Sequence, residues 1–166
     1  GMLDSIGTDH CPFTMEQKRM GKDNFTLIPN GAAGIEDRLQ LLYTYGVCGK
    51  HFDLNRMVAL GSTNPARIFG LYPRKGTIAV GSDADLVLYD PAWAGTRSAK
   101  THHSRADRSI FEGFKVKGQP THVIVNGRVA FKDGKLDVVK GAGRFVKREV
   151  AHASGRLREH VVGRVI

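Results

Sequence analysis

The chain has 166 residues, of which 41% are hydrophobic, with a formal net charge of +9. That is enough for one domain with a real core, and it excludes a chain disordered by composition. No apolar run approaches the ~20 residues of a membrane span, and the N-terminus lacks a basic region followed by an apolar stretch. Cys11 and Cys48 share no CxxC spacing, so a reducing cytoplasm is the expected compartment. Much of the charge lies late, in Lys140, Arg144, Lys147, Arg148, Arg156, Arg158 and Arg164. Without interleaved aromatics beyond Phe145, this tail does not read as a nucleic-acid surface.

In chain order, residues 3 to 8 form a strand candidate that ends in Thr8-Asp9-His10, and Pro12 forbids pairing at its own position. A carboxylate and an imidazole delivered together by a strand end can bind a metal or move a proton. Gly1 ahead of Met2 reads as a residue left by tag cleavage before an initiator Met. Residues 14 to 34 read mainly as a long loop, with a helical turn near Met15 to Met20. Ile35 to Tyr45 reads as a helix with Ile35, Leu39 and Leu42 on one face, Glu36, Asp37 and Arg38 turned away, and Gly46 as its stop. Asp53 caps a helix over Leu54 to Leu60. Thr63 or Asn64 caps another, with Pro65 at its first position and Gly70 past its end.

The character changes near Pro73. Gly76 to Gly81 and Ala84 to Tyr89 read as short strands joined by a Gly-Ser-Asp turn, with Asp83 and Asp85 as turn acids. Pro91, Trp93 and Gly95 open a polar stretch to about Ser109. His122 to Phe131 is a hairpin about Asn126-Gly127, and Asp133-Gly134 marks the next turn. The expected division is 1–72, 73–140 and a basic tail of 141–166. Strand, loop, helices, then short strands is not a doubly wound order.

Specific segments carry a resemblance. Gly7-Thr-Asp-His-Cys-Pro-Phe13, Lys22 to Gly31, Asn64 to Gly76 and Thr77 to Val87 resemble dihydropyrimidinases and hydantoinases, members of the cyclic amidohydrolases, over roughly residues 5 to 147. The resemblance implies an α/β plus β fold: the last strand and following helices of a metal-dependent (β/α)8 barrel, joined to part of a small β-sandwich. It implies hydrolysis of dihydropyrimidines, hydantoins and related cyclic amides at two zinc ions.

Of the metal ligands in that family, only the aspartate maps here, onto Asp9, which would ligate a metal and carry the proton to the leaving nitrogen. Asn30 would contact the substrate ring, chiefly through its backbone. His10 and Cys11 would stand beside the site. The remaining ligands have no counterpart in the sequence, and His102-His103 has the wrong spacing for a His-x-His pair. The expectation is therefore a C-terminal part of such a hydrolase, inactive and without catalytic zinc by itself, with a homo-oligomer as partner and neither nucleic acid nor membrane. The alternatives are a non-catalytic relative like the collapsin response mediator proteins, or an oligomerisation module. Asp9 and Asn30, which those non-catalytic relatives lack, favour the enzyme branch.

Overall fold

The computed structural model describes residues 2–149, and the basic positions Arg156, Arg158 and Arg164 lie outside the described residues. Two compact units emerge, one of residues 2–6, 54–89 and 120–149, the other of 7–53 and 90–119.

In the second unit, α1 (Met15–Arg19) starts at a capping box: Thr14 accepts from the Gln17 backbone, and the Gln17 side chain accepts from the Thr14 N–H. Helix α2 (Arg38–Leu41) runs on as a π-helical turn over Leu42–Val47. The expected stop at Gly46 is not where it ends. Gly46 is buried inside the π turn, and a Cβ there would lie 2.0 Å from the Phe52 ring. Its smallness admits that ring, and chain termination is not its role. The apolar residues buried in this unit are Ala33, Ala106 and Val116.

In the first unit, α3 (Leu54–Val58) continues as a π turn over Ala59–Thr63 and leads into α4 (Asn64–Ile68). Pro65 sits in the first turn of α4 and Gly70 follows its end at φ +67°, as their sequence positions imply. Met57, Leu60 and Ala66 are the buried apolar residues here.

The strand expected over residues 3–8 does not form. Its backbone is tied to helices: Ile6 N–H donates to Leu60 O at 3.2 Å, and Asn64 Nδ2 donates to Asp4 O at 2.8 Å. A strand needs a neighbour to satisfy its ladder, and among the described residues none lies alongside. The strand expected over 76–81 is likewise a looped segment, with Ile78 and Val80 exposed. Gly76 O accepts from Thr63 Oγ1 at 2.7 Å, and this bond draws the backbone toward the helices.

The sheet has the order β1-β2-β3-β4 and consists of β1 (Leu86–Thr96), β2 (Lys115–Val125), β3 (Arg128–Lys132) and β4 (Lys135–Leu136). β2, β3 and β4 pair antiparallel, with Val125 opposite Arg128 and Lys132 opposite Lys135. Asn126 and Gly127 at φ +49° and +78° make the expected type I′ hairpin, and Asp133 and Gly134 repeat it at +47° and +82°. β1 is longer than its sequence suggests. It runs through Pro91, Trp93 and Gly95, where the sequence implies the start of a polar stretch. β1 is an edge strand, where a residue without an N–H is tolerated.

Candidate active site

Asp9 is exposed and has φ +47°, a left-handed conformation that Asp tolerates better than most residues. The kink turns the chain so that His10 forms a parallel bridge with Ala32, and Cys11 N–H donates to Ala32 O at 3.1 Å. His10 is fixed by more than the bridge. Its Nδ1 accepts from the backbone N–H of Gly34 at 3.1 Å and of Ile35 at 3.3 Å, at the entrance to α2. Both partners are obligate donors, so Nδ1 serves as the acceptor and fixes the orientation of the ring. Cys11 is exposed and unpaired, as is Cys48.

The segment bearing Asn30 lies against these residues. Asn24 Oδ1 accepts from Thr26 N–H at 3.1 Å and caps the turn Phe25–Leu27 that leads into it. Gly31 has φ +125°, and a Cβ there would lie 2.5 Å from Cys11 O and 2.6 Å from Cys11 Cβ. Only glycine permits that approach. Lys18 Nζ donates to the carbonyls of Pro29 and, at 2.7 Å, Gly31. Asn30 is exposed between them. The structure thus gathers Asp9, His10, Cys11 and Asn30 into one region of one unit.

A buried polar cluster in the same unit escapes sequence reasoning. Asp37, placed by helical periodicity on an outward face, is fully buried. Arg97 Nε donates to its Oδ1 at 2.6 Å, Ser109 Oγ donates to its Oδ2 at 3.0 Å, and His102 Nε2 lies 3.2 Å from Oδ1. Arg97 also donates to Gln40 Oε1, and Gln40 Nε2 donates to Gly118 O at 2.7 Å. The set contains serine, histidine and aspartate, but the serine binds the carboxylate directly and is 1% exposed. A hydroxyl held that way has no base and no substrate access, so the cluster holds the fold together. Beside it Glu36 accepts from the backbones of His103 and Ser104 at 2.8 Å and faces His103 Nδ1 at 3.0 Å. Burial pushes the Glu36 carboxyl up, and the bonds from His103 and Ser104 outweigh that and hold it below its ordinary value.

In the first unit the turn acids are ion-paired. Lys75 Nζ contacts Asp83 at 2.9 Å and also Asp85, Arg74 Nε contacts Asp83 at 2.9 Å, and Asp85 Oδ1 accepts from Asn126 N–H at 2.8 Å. That ties the turn to the β2–β3 hairpin. Among the described residues, no three His, Cys, Asp or Glu side chains converge as a metal ion requires. Asp9 is a single carboxylate, so the residues present do not by themselves fit a metal centre. No helix among them is long and apolar enough to cross a membrane.

The Amidohydrolase family profile matches residues 1–130. The dihydropyrimidinase of Rattus norvegicus is 50% identical over 149 residues, covering 90% of this chain and 29% of that protein. The D-hydantoinase of Geobacillus stearothermophilus is 45% identical over 149 residues, covering 89% and 32%. Among solved structures, a D-hydantoinase (dihydropyrimidinase) from Thermus sp. superposes with a TM-score of 0.86 at 55% identity, covering 89% of this chain and 32% of that one. The chain therefore spans about three tenths of the length of the curated relatives it matches. The family match covers most of the sequence, and the superposition shows that these helices and strands take up a portion of that family's barrel-containing domain; the chain belongs to the amidohydrolase family.

Proposed function

We propose that this chain serves as the C-terminal part of a hydrolase that opens cyclic amides of the dihydropyrimidine and hydantoin type. The observation that carries this reading is the tie between the two segments that resemble the family's site: the His10–Ala32 bridge and the Cys11–Ala32 bond hold Asp9 and Asn30 in one region. In this reading water adds across the ring C–N bond. A C–O bond forms, the C–N bond breaks, and the nitrogen leaves with a proton. Asp9 takes that proton from the attacking oxygen and delivers it to the nitrogen. Asn30 offers a backbone donor and acceptor to the paired C=O and N–H of the ring. Two zinc ions in the complete barrel would supply hydroxide near neutral pH and polarise the carbonyl, with Asp9 as one ligand. His10 acts at one remove, by holding the entrance to α2. The unpaired Cys11 and Cys48 suit a reducing cytoplasm.

Among its described residues no donors converge as a metal requires, and the chain by itself is expected to turn over nothing. The test joins residues 5–147 to the remaining barrel of the Rattus norvegicus dihydropyrimidinase and follows ring opening of dihydrouracil and hydantoin. Turnover that falls by about a thousandfold or more in Asp9→Asn supports the reading, the scale expected when a positioned proton carrier at a metal site is removed. A folded, zinc-loaded chimera with no turnover overturns it. Ring opening by the chain alone with added zinc would overturn the expectation of inactivity.

A further inference from the structure

Lys18 lies near the end of α1, and its ammonium is directed at backbone. It donates to the carbonyl of Pro29 and, at 2.7 Å, to that of Gly31, the residues on either side of Asn30. It also sits 5.1 Å from the centre of the Phe13 ring, a cation–π distance. No carboxylate pairs with it among the described residues. Its charge is directed at these two carbonyl dipoles and one aromatic face.

We propose that Lys18 is a positioning residue for the loop that meets the substrate ring. It straps the carbonyls of the two neighbouring residues, Pro29 and Gly31, and leaves the N–H and C=O of Asn30 itself for the cyclic amide. The assignment rests on the function proposed above and deepens it.

Three further observations make the strap effective. The helix that carries Lys18 is anchored at its start. Thr14 and Gln17 close a capping box there, and the Asp107 carboxylate accepts from Met15 N–H at 3.0 and 3.1 Å. Lys18 N–H itself bonds Thr14 O at 3.0 Å, so the side chain projects from a fixed base. On the other side, the loop is pressed against Cys11, where a Gly31 Cβ would find backbone at 2.5 Å. The loop is therefore gripped between an ammonium and the segment that follows Asp9. Asn30 makes no backbone hydrogen bond of its own among the described residues. A charge-assisted bond is about twice as strong as a neutral one, so one cation on two carbonyls restrains the loop without occupying the groups that bind. A ligand loop held in its bound shape binds more tightly because less ordering is left to do.

Two measurements test this with Lys18→Met, which keeps the stem and removes the charge, and Lys18→Arg, which restores a cation. In the chimera, Lys18→Met is expected to raise KM for dihydrouracil about tenfold with kcat within about twofold, and Lys18→Arg to recover part of the loss. In the chain itself, Cys11 N–H donates to Ala32 O just beyond the strapped segment, and its hydrogen exchange is expected to quicken about tenfold in Lys18→Met, while Leu41 and Val123 keep their rates. An unchanged KM in an active chimera overturns the positioning role, and an unchanged Cys11 exchange rate overturns the strap. A chimera that is inactive with Lys18 in place overturns the proposed function and with it the substrate side of this assignment. The exchange measurement decides the loop-holding side separately.

Discussion

Arg97 reaches Asp37 with its Nε at 2.6 Å from Oδ1, and the carboxylate it meets is fully buried. Ser109, Gln40 and His102 complete the surroundings, and no buried side-chain polar atom among the described residues is left without a partner. A buried charge with its partners is tolerable, and the same charge alone is not. Arg97→Met should therefore destabilise by about 3–5 kcal/mol, because it strands the Asp37 carboxylate. Asp37→Leu made together with Arg97→Met should cost less than Arg97→Met alone, since both charges then leave. Urea unfolding of the two variants against the unsubstituted chain measures this. A double variant less stable than the single one would show that Ser109 and His102 suffice to hold the Asp37 carboxylate and that it is not stranded when Arg97 leaves.

The ion cluster at the Gly81–Asp85 turn makes stability depend on pH in a definite direction. The Lys75 and Arg74 hydrogen bonds hold the Asp83 carboxyl below its ordinary value near 3.8. Burial pushes the Asp85 carboxyl up, and the Lys75 ammonium and Asn126 N–H outweigh it, so it too is lowered. Groups depressed on folding stabilise fully above their unfolded value, and that contribution is lost as pH falls through the lower folded value. For Lys75, burial opposes the charge but the two acids raise it above 10.5, so its contribution persists below that value and is lost as pH rises past it. Glu36 and Glu112 are also lowered and add to the acid loss. A comparison of variants isolates the cluster. Between about pH 5 and pH 2 the melting temperature of Lys75→Met should fall less than that of the unsubstituted chain. Parallel curves would remove the cluster from the account.

What the sequence made legible was local. Asn126-Gly127 and Asp133-Gly134 form the expected turns, and Pro65 and Gly70 stand at the two ends of α4, because each is decided by dihedral preferences of adjacent residues. The cap expected at Thr63 or Asn64 does not form: Thr63 is helical, continues the preceding π turn and makes no capping bond, because its hydroxyl donates to Gly76 O and the Asn64 amide to Asp4 O. The segments with Asp9 and Asn30 could be recognised by their residues, and the bridge through Ala32 joins them. The burial of Asp37 could not be read, since its partners Arg97 and Ser109 lie 60 and 72 positions away and helical spacing assigned it to the surface. The Gly-bounded apolar run at 76–81 points to a strand, but a strand forms only where another lies beside it, and Ile78 and Val80 are left outward. His10 gave no sign of its capping role either, because Nδ1 meets backbone 24 and 25 residues further on.

The exposed apolar side chains predict association. Ile35 is 58% exposed and Leu54 and Val58 are each 55% exposed. Each lies on or beside a helix whose apolar residues ordinarily face a core. In solution the purified chain should self-associate, and light scattering should give a mass above 18.2 kDa that increases with concentration. Ile35→Glu, at an exposed site, should shift that mass toward the monomer without changing the far-ultraviolet spectrum. A monodisperse monomer at all concentrations would remove the expectation.

Gly31 offers the sharpest test of the contact between the Asp9 and Asn30 segments. Its φ of +125° is one that residues with a Cβ rarely adopt, and an added Cβ would lie 2.5 Å from Cys11 O. Backbone cannot yield as a flexible side-chain tip would, so Gly31→Ala must displace either Cys11 or the loop. Strain of this kind costs about 1–3 kcal/mol. Gly7→Ala is the control in the same stretch, since a Cβ there meets nothing within 4 Å and its φ is ordinary. Gly31→Ala should lower the melting temperature and, in the completed barrel, raise KM for dihydrouracil, because Asn30 moves while Asp9 stays. Gly7→Ala should change neither. If Gly31→Ala lowered kcat instead and left KM alone, the displaced partner would be the Asp9–Cys11 segment, and the loop would be the more rigid of the two.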